Sequence, residues 1–417
     1  MNKQANYARP ELIAPAGGID KLHVAYRYGA DAVYLGGKSF NLRAKSSNFS
    51  FTELASAVAH AHAMQKKIYI TLNILAHDRE VRALPKFIRK LDELKVDAVI
   101  VADLGVLDLV REHSQLPVHV STQASVTNWR SARMWHKLGA KRCVLARELS
   151  LTEIRKIKDQ VPELELEVFV HGAMCMTYSG RCNLSSYFSE RDGNRGVCSN
   201  TCRWKYHLVE EKRPNEYYPV YEDDTGSYIY NSKDLCTIEF IDKILDAGAT
   251  GLKIEGRMKS LLYCALTTKI YRAAVDSYLA GDFQFDPAWL QQLQSFSHRG
   301  YTAGFYHGKL DGDFQNRNGG YTSTHKYVGF LQVASGHEQE QVRPHTYQAT
   351  IHEKINIGDK LEIICPDDSK PKAFTLEEMR DVRDKQTLAT AQPNMQVALK
   401  IPFPCADYDL LRVAATS

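Results

Sequence analysis

Eight strand-like apolar runs, separated for the most part by stretches of helical periodicity, constrain this chain more than any other feature of its sequence. The runs are Leu12–Gly17, Asp31–Gly36, Lys67–Asn73, Ala98–Asp103, Pro117–Gln123, Arg142–Arg147, Leu166–His171 and Gly251–Gly256. Two of the intervening helices open with Ser-x-x-Glu, at Ser50 and Glu53 and again at Ser150 and Glu153. In that pattern each side chain satisfies a backbone amide that the first helical turn leaves without a partner. Strands and helices alternating in this way predict a TIM-like (β/α)8 barrel over residues 1–280. A short repeat agrees: Gly29-Ala30-Asp31, Gly139-Ala140-Lys141 and Gly248-Ala249-Thr250 each close a helical stretch just before a strand, with Val96-Asp97 as a weaker copy. Glycine just past a helix supplies its left-handed cap, so the repeat carries structure rather than chemistry.

The connection after the seventh run is far longer than the others, and residues 172–232 form a cysteine-rich insertion over the barrel mouth, followed by a helix near Cys236 to Ala247. Residues 281–326 read as a linker with short helices. From Tyr327 the pattern turns to short strands with an Asn356-Ile-Gly-Asp359 turn, which predicts a small antiparallel β-barrel over 327–417.

Within the insertion, Cys175, Cys182, Cys198 and Cys202 are spaced C-x6-C-x15-C-x3-C. Zinc ribbons usually present pairs of sulfurs from C-x2-C turns, whereas an iron–sulfur cluster accepts wider spacings because its ligands bind separate corners of a larger object. A cluster is the leading reading; structural zinc and unligated or redox cysteines are the others. Cys236 is a spare fifth candidate, while Cys143, Cys264, Cys365 and Cys405 read as buried packing. The nine cysteines come without the apolar core of a signal peptide in Met1 to Pro10, which fits a reduced, cytoplasmic chain better than a disulfide framework. No apolar run approaches the roughly 18 residues of a membrane span. A formal net charge of +4 decides nothing about nucleic acid, so any such role rests on a local patch.

Such a patch exists. Arg181, Arg191, Arg195, Arg203 and Lys205 face only Glu190 and Asp192 between residues 181 and 205, and Tyr178, Tyr187, Trp204 and Tyr206 add aromatic faces. The group suits phosphate, a carboxylated substrate or a stacked base, and equally suits holding an irregular loop together. Strand ends of a barrel collect active sites. Here they carry Gly36-Gly37, Asn73, Asp103, Gln123, Arg147-Glu148, His171 and the motif Lys253-Ile-Glu255-Gly-Arg257. A Lys and an Arg beside a Glu suit a dicarboxylate or a structural ion-pair network, and Arg43 in Asn41-Leu-Arg43-Ala-Lys45 is a similar candidate.

The run from Glu167 through His171, Cys175 and Cys182 to Ser185 resembles the signature of the collagenase-like peptidase family U-32. Matches at Ala14–Gly17, Gly29–Tyr34, Ser121–Gln123, Asn231–Leu235 and Lys253–Arg257 extend the resemblance over roughly residues 10 to 310. The stretch Arg191 to Trp204 is most similar to members acting in 5-hydroxylation of the tRNA wobble uridine. That resemblance implies an iron–sulfur protein that uses prephenate without molecular oxygen and carries a [4Fe-4S] cluster on Cys175, Cys182, Cys198 and Cys202. It implies the tRNA anticodon loop and the iron–sulfur assembly machinery as partners. Under it, Arg257, Lys253 and Arg181 bind carboxylate or phosphate, with Arg43, Tyr178 and Arg203 as further substrate contacts, and His171 and Glu255 are the proton-transfer groups.

Other relatives of this design hydroxylate ribosomal RNA or quinone precursors, and a metal-stabilised accessory protein is the reading from a different class. Proteolysis has little support in the residues. There is no H-E-x-x-H pair, and a cysteine that ligates a cluster is not a free nucleophile.

Overall fold

The computed structural model describes residues 9–42, 47–175, 177–195, 198–203, 222–223, 226–227, 232–308, 321–333 and 345–415. Strands β1 (Glu11–Pro15), β2 (Ala32–Leu35), β3 (Lys67–Leu72), β4 (Ala98–Val101), β5 (Val118–Val120), β6 (Ala140–Val144), β7 (Glu165–Ala173) and β8 (Gly251–Ile254) run parallel in one ring. β8 closes it by pairing with both neighbours, Leu252 lying opposite Val168 on one side and Leu12 on the other. Parallel neighbours need a crossover, and helices α1 (Ile19–Arg27), α2 (Phe51–Ala63), α3 (Asp78–Glu93), α4 (Leu104–His113), α5 (Trp129–Lys137) and α6 (Leu151–Gln160) supply it. Both Ser-x-x-Glu sequences form capping boxes, at the starts of α2 and α6. The repeated glycines take the left-handed conformation expected of them, with φ of 104° at Gly29, 95° at Gly139 and 94° at Gly248.

Alternation along the strands separates two interiors. Leu12, Val33, Ile68 and Val99 point out to the helices and belong to the main core. Ile13, Ala32, Tyr34, Tyr69, Ala98 and Ile100 form a smaller cluster inside the ring. Beside it, at the end where the strands begin, lies a buried charge network. Arg142 donates to Glu11 at 2.6 Å, to Glu165 at 2.6 Å and to Glu167 at 3.3 Å; Lys253 donates to Glu167 at 2.6 Å, and Tyr69 to Glu11 at 2.6 Å. Burial would raise the Glu11 carboxyl, but Arg142, Lys67 and Tyr69 outweigh it and hold the pKa at about 2.

The insertion after β7 contains α7 (Leu184–Ser189) and returns through a short strand, Asp234–Cys236, that lies antiparallel on the end of β7 and is itself flanked by Tyr301–Thr302. The helix expected to begin near Cys236 therefore starts later, as α8 (Ile241–Asp246), because Thr237 is tied to the Val170 carbonyl and to the Tyr271 hydroxyl. α9 (Leu261–Ala280) follows β8, and α10 (Pro287–Leu293) lies in the stretch read as a linker.

The C-terminal part is a seven-stranded antiparallel sheet. In spatial order its strands are Lys372–Thr375, Lys360–Ile364, Leu410–Ala414, His325–Gln332, Thr346–Thr350, Gln396–Lys400 and Met379–Asp381. It is a half-barrel, since no ladder joins its two outer strands among the described residues. It is docked on the barrel: the Tyr28 hydroxyl donates to the Ile364 carbonyl at 2.6 Å, Arg27 pairs with Asp409, and Phe330, Ile364 and Leu410 join the main core.

Candidate active site at the barrel mouth

Local hydrogen bonds fix the insertion over the strand ends. Gly180 has a φ of 77° and packs so closely on the Gln123 backbone that an added Cβ would overlap the Gln123 carbonyl. The Glu148 carboxylate accepts from the Ser179 amide at 2.9 Å, and the Ser232 hydroxyl donates to the Met174 carbonyl at 2.8 Å. Ser185, Ser189 and Ser199 share their hydroxyls at 2.9 and 2.6 Å, joining α7 to the segment after Cys198, while the Asn194 side chain donates to the Cys182 carbonyl at 2.9 Å. These ties bring Cys175, Cys182, Cys198 and Cys202 to the wall of a single cavity of ≈ 160 Å³. Its floor is the C-terminal end of the barrel, with Tyr34, Asn73, Gln123, Phe169, Lys253, Glu255 and Arg257 contributed by different strands.

The donor set tests what the cysteines could hold. Among the described residues no three His, Cys, Asp or Glu side chains are grouped as a site for a single metal ion. Four sulfurs that line one cavity could hold a metal ion or a larger, many-cornered group. Cationic and polar donors accompany them: the Arg147 guanidinium stands 3.9 Å from the Cys175 sulfur while stacking at 3.8 Å over the Phe169 ring, and the Asn200 amide points at the Cys198 sulfur at 3.4 Å. Cys236 is not part of this wall. It is buried against Tyr271, and burial pushes its thiol up to about 12. Cys143, Cys264 and Cys365 are buried, whereas Cys405, expected to be buried too, is half-buried.

The other expected site residues divide sharply. Glu255 lines the cavity and accepts from the Tyr34 hydroxyl at 3.2 Å. Arg257 also lines it, held by Thr71 at 3.2 Å, Asn41 at 3.0 Å and Asn48 at 2.6 Å. Tyr178 lines the cavity and is 62% exposed. Lys253 reaches the wall, but its ammonium is committed to Glu167 and sits 4.2 Å from the centre of the Tyr34 ring, so the ion-pair reading of this residue prevails over direct dicarboxylate binding. Arg181 is exposed and does not line the cavity. Arg43 lies outside the described residues, as do the side chain of Arg203 and residues Trp204, Lys205 and Tyr206.

His171 requires a correction. It is buried among Tyr263, Tyr271, Phe296 and Tyr301, outside the cavity lining, and burial drives its pKa down to about 3. The cause is a β-bulge. Lys253 pairs with Phe169, but Ile254 pairs with His171, so one residue of β7 is skipped and the inward-outward alternation reverses. Counting by twos from Phe169 puts His171 inside; the bulge puts it behind the wall.

Two contributions were not assigned from sequence. Arg147 was visible only as a strand-end residue, and its stacking on Phe169 beside Cys175 depends on two separate crossovers meeting. The amide of Asn73 joins Ser121 at 3.2 Å and Gln123 at 3.5 Å in a polar ledge under the cysteines, a contact between the third and fifth strands that no local pattern encodes.

The model of peptidase family U32 matches residues 17–316, and that of the peptidase family U32 C-terminal domain matches residues 323–412. The chain belongs to peptidase family U32. This agrees with the resemblance carried by the cysteine motif. Within family U32 the chain is 36% identical to the tRNA hydroxylation protein P of Escherichia coli, with 94% of each chain covered. It is 41% identical to the tRNA hydroxylation protein P of Helicobacter pylori over 71% of each, and 32% identical to a collagenase of Porphyromonas gingivalis over 76% of this chain and 79% of that one. Among the described residues no helix is long and apolar enough to cross a membrane.

Proposed function

We propose that this family U32 member is an RNA-modifying hydroxylase that acts on tRNA at carbon 5 of the wobble uridine, with prephenate as co-substrate and without molecular oxygen. The observation that carries the reading is the meeting of Cys175, Cys182, Cys198 and Cys202 with Glu255 and Arg257 in one cavity at the barrel mouth. The relatives matched nearly end to end are named for tRNA hydroxylation, which favours tRNA as the substrate.

In this reading the four cysteines hold a [4Fe-4S] cluster loaded by the iron–sulfur assembly machinery, and when bound it supplies redox or Lewis-acid chemistry at the mouth. Arg147 beside Cys175 offsets thiolate charge. Arg257 and Arg147 offer cationic hydrogen-bond donors to the carboxylates of prephenate. Glu255, reaching the same cavity, accepts or delivers the proton of the reacting group. An anticodon loop presents its bases unstacked, the form in which a base can leave its neighbours and enter a site.

Peptide hydrolysis, which the family name and the collagenase relative suggest, would need a base for Cys175. His171, the nearest imidazole in sequence, is buried in an aromatic wall and lies outside the cavity lining.

The test is anaerobic purification followed by iron and sulfide determination and an assay on unmodified tRNA with prephenate. About four irons and four sulfides per chain, with hydroxylation that disappears in Cys175→Ala, is the expected result. Full hydroxylation by Cys175→Ala would end the cluster assignment. A wild-type protein carrying its full complement of iron and sulfide that leaves tRNA unmodified would end the substrate assignment.

A further inference from the structure

A second cavity of ≈ 520 Å³ opens beside the first and shares Leu42, Ala173, Cys198, Asn200 and Glu255 with it. We propose that this second cavity is the nucleoside site: it receives the unstacked pyrimidine nucleotide of the RNA, whose base then meets the first cavity at Glu255. The inference rests on the RNA-hydroxylase reading above and assigns a part of the molecule that reading left unused.

Its size falls within the range of about 300–1,000 Å³ typical of sites for ligands as large as a nucleotide. Its lining differs in kind from that of the first cavity. Tyr321, Tyr263 and Phe296 supply aromatic surface, and Lys259 and Arg191 supply positive charge. The Lys259 ammonium lies 5.2 Å from the centre of the Tyr321 ring and 5.5 Å from that of Tyr263, and 4.0 Å from Asp234, whose carboxylate is gripped more closely by Arg299 at 2.7 Å. Lys259 is thus placed to answer a phosphate while Tyr321, 52% exposed, offers a face to a base.

The surroundings point the same way. Among the described residues the strongly exposed aromatic side chains are Phe51, Tyr178, Tyr187, Phe188 and Tyr321. All but Phe51 belong to the insertion or to the second cavity, which concentrates stacking surface around the mouth. Bases stack on exposed aromatic faces regardless of sequence. Glu255 touches both cavities, so a base entering from one side and an acid held on the other would meet at its carboxylate.

Steady-state kinetics of the anaerobically purified holoenzyme, with tRNA and prephenate varied separately, test the assignment. Tyr321→Ala should raise KM for tRNA by roughly 10- to 100-fold, with iron content and KM for prephenate unchanged, and Tyr321→Phe should restore the wild-type KM. Lys259→Gln should weaken tRNA binding and lower the slope of log Kd against log salt by about 1. An unchanged KM for tRNA in Tyr321→Ala, or a rise in KM for prephenate alone, overturns the inference while leaving the hydroxylase reading intact. Wild-type enzyme that neither binds nor modifies tRNA removes both, and it does so before any variant is made.

Discussion

The two ends of the barrel are built from the same eight strands and carry similarly charged residues, yet they do opposite things with them. Toward the end where the strands begin, Glu11, Arg142, Glu165 and Glu167 are consumed by one another and by Lys253, which reaches down from the cavity floor, with separations of 2.6 to 3.3 Å. At the mouth, bonding capacity is left over: the buried Asn73 Oδ1 and Arg147 Nε have no hydrogen-bond partner among the described residues, and both residues line the cavity. Charge by itself therefore does not mark the site. The meeting of polar side chains from several strand ends in one cavity does.

The largest expected effects set the two ends directly against each other. Cys175→Ala should abolish iron binding and hydroxylation while the far-ultraviolet circular dichroism of the barrel persists. Glu167→Ala, which strands Lys253 and part of Arg142 in the interior, should instead cost about 3–5 kcal/mol of stability, read as a lowered denaturation midpoint. If Glu167→Ala left the midpoint unchanged, the buried charge network would not stabilise the barrel, and Lys253 would return as a candidate substrate ligand.

A smaller effect separates two residues at the mouth itself. Glu255→Gln should lower kcat by about 10²- to 10⁴-fold with the iron content retained. His171→Phe, which keeps an aromatic ring in an aromatic wall, should stay within a few-fold of wild type. Equal losses in the two variants would mean that His171 reaches the reaction.

That pair also shows how far the sequence could be read. The barrel was legible because eight apolar runs, two capping boxes and three helix-ending glycines are local signals, each formed by residues within one turn or one strand. The four cysteines were legible because ligands that share a site came from one continuous insertion. His171 was misplaced because a bulge is a property of two paired strands: nothing between Phe169 and His171 announces that β8 will skip a residue opposite them. Lys253 was ambiguous for the same kind of reason, since its partner Glu167 lies 86 residues away and only the closed ring brings them together. Arg147 beside Cys175 likewise joins two crossovers. Contacts within an element were readable; contacts between elements were not.

Acid should divide the two ends by pH, with effects smaller than those of the substitutions above. His171 is held neutral, its pKa lowered from 6.5 to about 3 chiefly by burial. An unfolded chain takes up that proton as pH falls below 6.5 and the folded one does not, so the stability associated with a neutral His171 is complete above that value and declines between 6.5 and about 3. Glu11, lowered from 4.5 to about 2 by Arg142, Lys67 and Tyr69 against the opposing effect of burial, acts later: its contribution is present above 4.5 and is lost as pH falls toward 2. Denaturant midpoints measured across this range should therefore fall in two overlapping stages. His171→Phe should flatten the upper stage alone, and Glu11→Gln the lower stage alone, on a lower baseline because Arg142 loses a partner. A single stage abolished by Glu11→Gln would mean that the aromatic wall around His171 opens to water before the buried charge network does.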